Sequence, residues 1–150
     1  MKKRRIFTVN LCVLLIIFLT AGVAAKPADD NQTVRKLISQ RIEILNSYYS
    51  GEKNAEQSKE ALQKIEKDSI LKNDIRLMAA YANTDIDQIA DYKVKILSGR
   101  RTSYGIIKGK AEVKYLMKST GGRIRQTHQY FFTAELGKSS KVKMTQFNII

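Results

Sequence analysis

Lys110–Phe132, KAEVKYLMKSTGGRIRQTHQYFF, is the stretch that decides the fold. In its first half Ala111, Val113, Tyr115 and Met117 alternate with Lys110, Glu112, Lys114 and Lys118, with Leu116 as the exception. Side chains in a strand change face at every residue, so a period of two marks a half-buried strand. Gly121-Gly122 then reads as a two-residue hairpin loop. With those glycines as the loop, Tyr115 is expected opposite His128, Val113 opposite Tyr130, and Ala111 opposite Phe132. Both strands then put their apolar residues on one face, which fixes the register.

Working outward, a second loop at Gly137–Ser140 brings Lys141–Ile150 back antiparallel. On the other side, Tyr92, Val94 and Ile96 alternate with lysines and supply a further strand. Gly105 and Gly109 interrupt the run before the hairpin. Glycines within strands mark bulges or bends, which predicts a curved sheet.

Further upstream the period changes. Val34, Leu37, Ile38, Arg41, Ile42, Leu45, Tyr48 and Tyr49 recur at three- and four-residue spacing, the pattern of an amphipathic helix. Gly51 stands where a left-handed cap would end it. Asn54 and Gln57 have the spacing of a capping box for a second helix, whose inner face is Ala61, Leu62 and Ile65. Leu71, Ile75, Met78 and Ala82 place a third helix at about Ser69–Ala82, stopped by Asn83 and Thr84. The predicted fold is α+β in one domain, 33–150. Three N-terminal helices (33–82) pack on a curved, mainly antiparallel sheet of about four strands (86–150). This order resembles the cone-shaped domains of the nuclear transport factor 2-like and cystatin-like group. Enzymes of that kind often set an aspartate beside a histidine or tyrosine, and no such pair is matched here.

Residues 1–25 read as a signal peptide or a membrane anchor. Lys2, Lys3, Arg4 and Arg5 precede an uncharged run from Ile6 to Ala25. About 20 residues span roughly 30 Å as a helix, enough to cross a bilayer. The strongly apolar part, Leu11–Leu19, has the length of a signal-peptide core. Val23 and Ala25 suit cleavage after Ala25. Either way the C-terminal domain is expected outside the cytoplasm, secreted or anchored in the plasma membrane, behind a polar stem at 26–32. Cys12 is the one cysteine and lies in this segment, so the exported part can form neither a disulfide nor a cysteine-ligated metal site.

Charge divides at the same place as hydrophobic period. Lys26–Asp91 holds 10 basic and 12 acidic residues, a net of −2; Tyr92–Ile150 holds 13 basic and 2 acidic, a net of +11. Arg100, Arg101, Lys118, Arg123 and Arg125 fall on or beside turns and are expected to cluster at one sheet end. Basic side chains among aromatics suit nucleic acid, but export makes that partner unlikely. Anionic lipid, a wall polymer or another envelope protein fits the compartment better. The plainer reading is a solvated face whose lysines protect the sheet from edge pairing.

Two further groups stand out. His128, the one histidine, shares the apolar face with Tyr115 and Tyr130, as a pocket base or ligand, or as a half-buried histidine bonded to a tyrosine hydroxyl. Asp85, Asp87 and Asp91 have even spacing, but they lack the glycine and glutamate of a calcium loop. Cross-strand ion pairs of Asp91 and Asp87 with Lys110 and Lys114 explain them better. No metal and no cofactor are expected. The leading expectation is a non-enzymatic binding or assembly module of the cell envelope with a basic sheet surface. Its layout resembles assembly-factor subunits of type IV secretion and conjugation machines. The alternative is a small-ligand pocket protein or enzyme that uses His128.

Overall fold

Three helices precede a four-stranded antiparallel sheet, in an α+β arrangement. The computed structural model describes residues 29–82, 84, 86–137 and 141–150. The apolar segment at 1–25, Cys12, Asn83 and Asp85 lie outside them. No helix among the described residues is long and apolar enough to cross a membrane.

Helix α1 spans Asp30–Tyr49. It starts three residues earlier than the apolar pattern implied, so Asp30, Asn31 and Gln32 of the expected polar stem form its first turn. The Asp29 carboxylate accepts from the Asn31 N–H at 3.0 Å. Such caps are polar by nature and leave no trace in an apolar period. Past the other end, Gly51 takes φ +77°, as a left-handed cap requires. Helix α2, Ala55–Ile65, opens with the expected capping box, in which Asn54 and Gln57 each bond the other's backbone N–H. Helix α3 spans Asp68–Ala80, and Thr84 closes back on the Tyr81 carbonyl just beyond it.

The strands are β1 (Gln88–Arg101), β2 (Ile106–Ser119), β3 (Gly122–Leu136) and β4 (Val142–Ile149), in sheet order 1-2-3-4. The hairpin register differs from expectation by two residues: Tyr115 faces Gln126, Val113 faces His128, and Ala111 faces Tyr130. The loop is Thr120-Gly121, while Gly122 opens β3 opposite Ser119 with φ +123°. A glycine pair signals a hairpin without saying which glycine must take the positive φ. Because the shift is even, every side chain keeps its predicted face.

Gly105 lies in the turn between β1 and β2 and not within a strand. Gly109 does sit in β2, at a point of close approach. A Cβ there would lie 2.0 Å from the Ser98 carbonyl oxygen and 2.7 Å from Phe132 Cζ. The neighbouring register shift between Ile96 and Ser98 is one of three, with others at Ile89/Asp91 and Thr133/Ala134. Such irregularities bend and coil a sheet, which accounts for its curvature.

One face of the sheet carries the core. Val94, Ile107, Ala111, Val113, Phe132, Ala134 and Met144 meet Val34, Leu37, Ile38, Ile42, Leu62, Ile65 and Met78 from the helices. Helix α1 lies over β1, and α3 lies over β4. Asn46 anchors the start of β1 by bonding both the N–H (2.8 Å) and the carbonyl (3.1 Å) of Ile89. Between these two contacts the helix layer leaves the hairpin end of β2 and β3 partly open.

Candidate functional site: an aromatic cleft and a basic outer face

That opening is a cleft of about 220 Å³, lined by Arg41, Ile42 and Leu45 of α1, and by Ile89, Tyr115, Met117, Gln126, His128 and Tyr130 of the sheet. The three residues singled out by sequence therefore converge. Their bonding differs from expectation, however. His128 Nε2 lies 3.2 Å from Gln126 Oε1, two residues along the same strand face, instead of on a tyrosine. The tyrosines bond each other, Tyr115 Oη to Tyr130 Oη at 3.2 Å. The His128 ring centroid is 6.1 Å from that of Tyr115 and 6.3 Å from that of Tyr130. Burial pushes the Tyr115 hydroxyl well above the usual phenol range, and its bond to Tyr130 adds to that. It stays a neutral donor and acceptor and does not serve as a phenolate base.

Behind the cleft lies a charged cluster that sequence reasoning passed over. Arg41 Nε and Nη2 each donate to Asp74 at 2.7 Å, a bidentate fork. Glu66 Oε1 lies 3.1 Å from the same Nε. That N–H is aimed at Asp74, so neither Glu66 oxygen has an aligned partner among the described residues. Glu66 is 0% exposed and Asp74 1%, whereas the Arg41 side chain keeps 16% of its surface at the cleft. Burial, then the negative charge of Asp74, push the Glu66 carboxyl up to about 8, against the pull of Arg41. At neutral pH the cluster therefore holds one cation, one carboxylate and one largely protonated acid. Burial also works against the Arg41 charge, but Asp74 outweighs it and Arg41 stays a cation. The guanidinium sits 5.3 Å from the Phe147 ring centroid, and Phe147 stacks on Tyr130 at 4.1 Å.

A signal for this cluster exists in the sequence. Arg41 recurs with the apolar residues of α1, Glu66 falls four after Leu62, and Asp74 falls three after Leu71 and four before Met78. Charges at core positions of three segments point to one another. The cleft thus offers neutral hydroxyls, an imidazole, an amide and the rim of a neutralised guanidinium. It can hold a small polar molecule by hydrogen bonds, but it presents no free carboxylate. Among the described residues no three His, Cys, Asp or Glu side chains are grouped to hold a metal.

The opposite face of the sheet is basic. Lys93, Lys95, Arg100, Lys108, Lys110, Lys114, Lys118, Arg123 and Arg125 share it, by strand alternation, with Asp91, Glu112 and Glu135 as acids. Three like-charged pairs stand directly opposite: Lys93 and Lys114, Arg100 and Lys108, Lys118 and Arg123. The expected cross-strand ion pairs do not form. Asp91 faces Leu116 and Lys110 faces Ser98, because the register is set by the bulges in β1. Asp91 instead accepts from the Tyr92 N–H at 2.8 Å, and Lys114 Nζ lies 3.7 Å from Glu112.

The five candidate arginines and lysines do not form one cluster. Arg100 and Arg101 flank the β1–β2 turn, while Lys118, Arg123 and Arg125 flank the β2–β3 turn at the other end of β2. The two ends are roughly 40 Å apart at about 3.3 Å per residue. Arg101 also points to the helix side, where it forks onto Asp30 at the start of α1. Asp30 is held below the usual carboxylate range, chiefly by that hydrogen bond.

No protein-family model matches the chain, and no curated protein matches it. Among solved structures it is similar to a de novo β-sheet design protein determined by solution NMR. The two are 12% identical with a TM-score of 0.41, over 79% of this chain and 88% of the design.

Proposed function

We propose that this protein is a non-enzymatic binding module of the cell envelope whose outer sheet face docks on a phosphate-bearing surface, polymer or lipid headgroup. The observation that carries this reading is the set of three like-charged cross-strand pairs on one face. Like charges directly opposite destabilise a sheet by a few tenths of a kcal/mol each or more, and solubility alone does not call for them. A closely spaced polyanion relieves that repulsion. Residues 1–25, as an anchor or an export signal, would bring the face to the envelope, and the basic half of the chain follows that segment.

The test is binding of full-length protein, in neutral detergent, to a fluorescent polyol phosphate polymer followed by anisotropy. Affinity should fall about tenfold or more between 50 and 300 mM salt, as screened attraction requires. Lys93→Gln with Lys114→Gln should weaken it, while Arg101→Gln, whose side chain engages Asp30, should matter less. Binding indifferent to salt overturns the reading.

A second reading is a small-ligand pocket of the nuclear transport factor 2-like type. It is favoured by the convergence of His128, Tyr115 and Tyr130 beside Arg41 in one cleft. Thermal shift against small carboxylates and phosphate esters tests it. A stabilisation lost in His128→Ala supports a pocket, and no stabilisation by any of them removes it.

A further inference from the structure

Strand β3 is longer than its neighbour β4 can cover. Pairing with β4 runs from Leu136 to Tyr130, and the last bond across it is the Ile150 N–H to the Gln129 carbonyl, 2.9 Å. Among the described residues, nothing pairs with β3 on that side from Gly122 to His128. Backbone groups of a strand point alternately to its two neighbours. Since Gln129 points to the β4 side, so do Thr127, Arg125 and Arg123, each with an N–H and a carbonyl directed outward. Protein edges of this length are usually shortened, bulged or covered, yet the pairing of β2 with β3 is regular throughout, without a bulge.

We infer that the open edge of β3 at Arg123, Arg125 and Thr127 accepts an extended acidic segment of a partner protein as a fifth strand, in line with β4. Charge selects this occupant. Arg123 and Arg125 project on the outer face, with Lys118 directly opposite Arg123. An added strand therefore meets cations at alternate positions and favours Glu or Asp there. Its other side chains fall on the inner face next to Ile124, Gln126 and His128, where Ile124 is already 44% exposed. The matching segment alternates acidic and apolar residues. A second copy of this chain is disfavoured, because antiparallel pairing of two such edges sets arginines against arginines. Main-chain bonds supply the affinity and alternate side chains the specificity, as in other strand-addition complexes. Arg123, Arg125 and Lys118 also belong to the proposed polyanion face, but this inference rests on the unpaired backbone of the β3 edge and stands without that reading.

The experiment uses full-length protein in neutral detergent and a fluorescein-labelled ten-residue peptide of alternating glutamate and valine. In the added strand the glutamate N–H groups point at β3 and the valine N–H groups point away. N-methylation of the glutamates should therefore weaken binding about tenfold or more, and N-methylation of the valines should leave it nearly unchanged. Thr127→Pro, which removes one outward N–H while keeping both arginines, should also lose peptide but keep the polyol phosphate polymer. Equal binding of the two methylated peptides, or no binding of the parent peptide, overturns the inference. So does a dimer that Thr127→Pro dissolves, since the occupant is then a second copy.

Discussion

Replacing Glu66 with glutamine isolates the buried cluster and turns its electrostatics into a measurable slope. Glu66 is fully buried, its carboxyl raised from 4.5 to about 8 by burial and by Asp74. An acid whose folded value lies above its unfolded value binds more protons when folded. Its contribution is therefore complete below about pH 4.5 and is lost as pH rises through 8. At about 1.36 kcal/mol per unit, the loss between pH 5 and pH 8 comes to roughly 3–4 kcal/mol after rounding at the two ends. Glutamine keeps the shape and cannot ionise. Urea unfolding of wild type and Glu66→Gln at half-unit steps should give curves that agree within about 1 kcal/mol at pH 5 and diverge above pH 6. At pH 8 the variant should unfold at a midpoint roughly 1.5–2 M higher, for a slope near 2 kcal/mol per M. His128 is common to both chains, so the difference between them reports Glu66 alone. A difference between the two curves that stays constant from pH 5 to 8, or that shrinks as pH rises, refutes the reasoning.

Arg41→Met should cost about 3–5 kcal/mol by leaving Asp74 buried without its cation, and adding Asp74→Asn should recover much of it; equilibrium unfolding of the two variants checks this. Gly109→Ala should destabilise by about 1–3 kcal/mol or more, since the new methyl meets the Ser98 carbonyl. Gly99→Ala should cost far less by the same equilibrium unfolding, because the nearest atom to its new methyl is the movable Asn31 side-chain oxygen. Asn54→Ala removes half of the α2 capping box and should cost about 1 kcal/mol in urea unfolding.

What sequence makes legible here follows the range of each interaction. The capping box of Asn54 and Gln57 spans three residues and is complete in the structure. The alternation of Ala111, Val113, Tyr115 and Met117 fixes a face, and the face is right although the register is off by two. An even slip costs nothing in face pattern, so only the turn geometry at Gly122 can exclude it. The convergence of His128, Tyr115 and Tyr130 follows from that shared face. Their partners do not, because Gln126 and the Tyr115–Tyr130 bond depend on the true register. The Arg41, Glu66 and Asp74 cluster joins Arg41 to residues 25 and 33 further along, across three segments. Each shows only as a charge in an apolar position. The basic clusters are a different case. Successive turns of a meander lie at opposite ends of its strands, so Arg101 and Arg123 cannot share one end.

The attachment of the α2–α3 corner to β4 has a consequence in time. Lys67 donates its N–H to the Met144 carbonyl at 3.0 Å, Ser69 Oγ bonds the Thr145 carbonyl, and Lys143 Nζ reaches back to the Gln63 carbonyl. A chain emerging from the ribosome makes all three helices before any strand, and must then wait some 75 residues more before that corner finds its seat. Until Met144 arrives, the buried carboxylates and the apolar stripes of the helices have no wall to close against. The helix layer is thus closed only when β4 arrives to cover it.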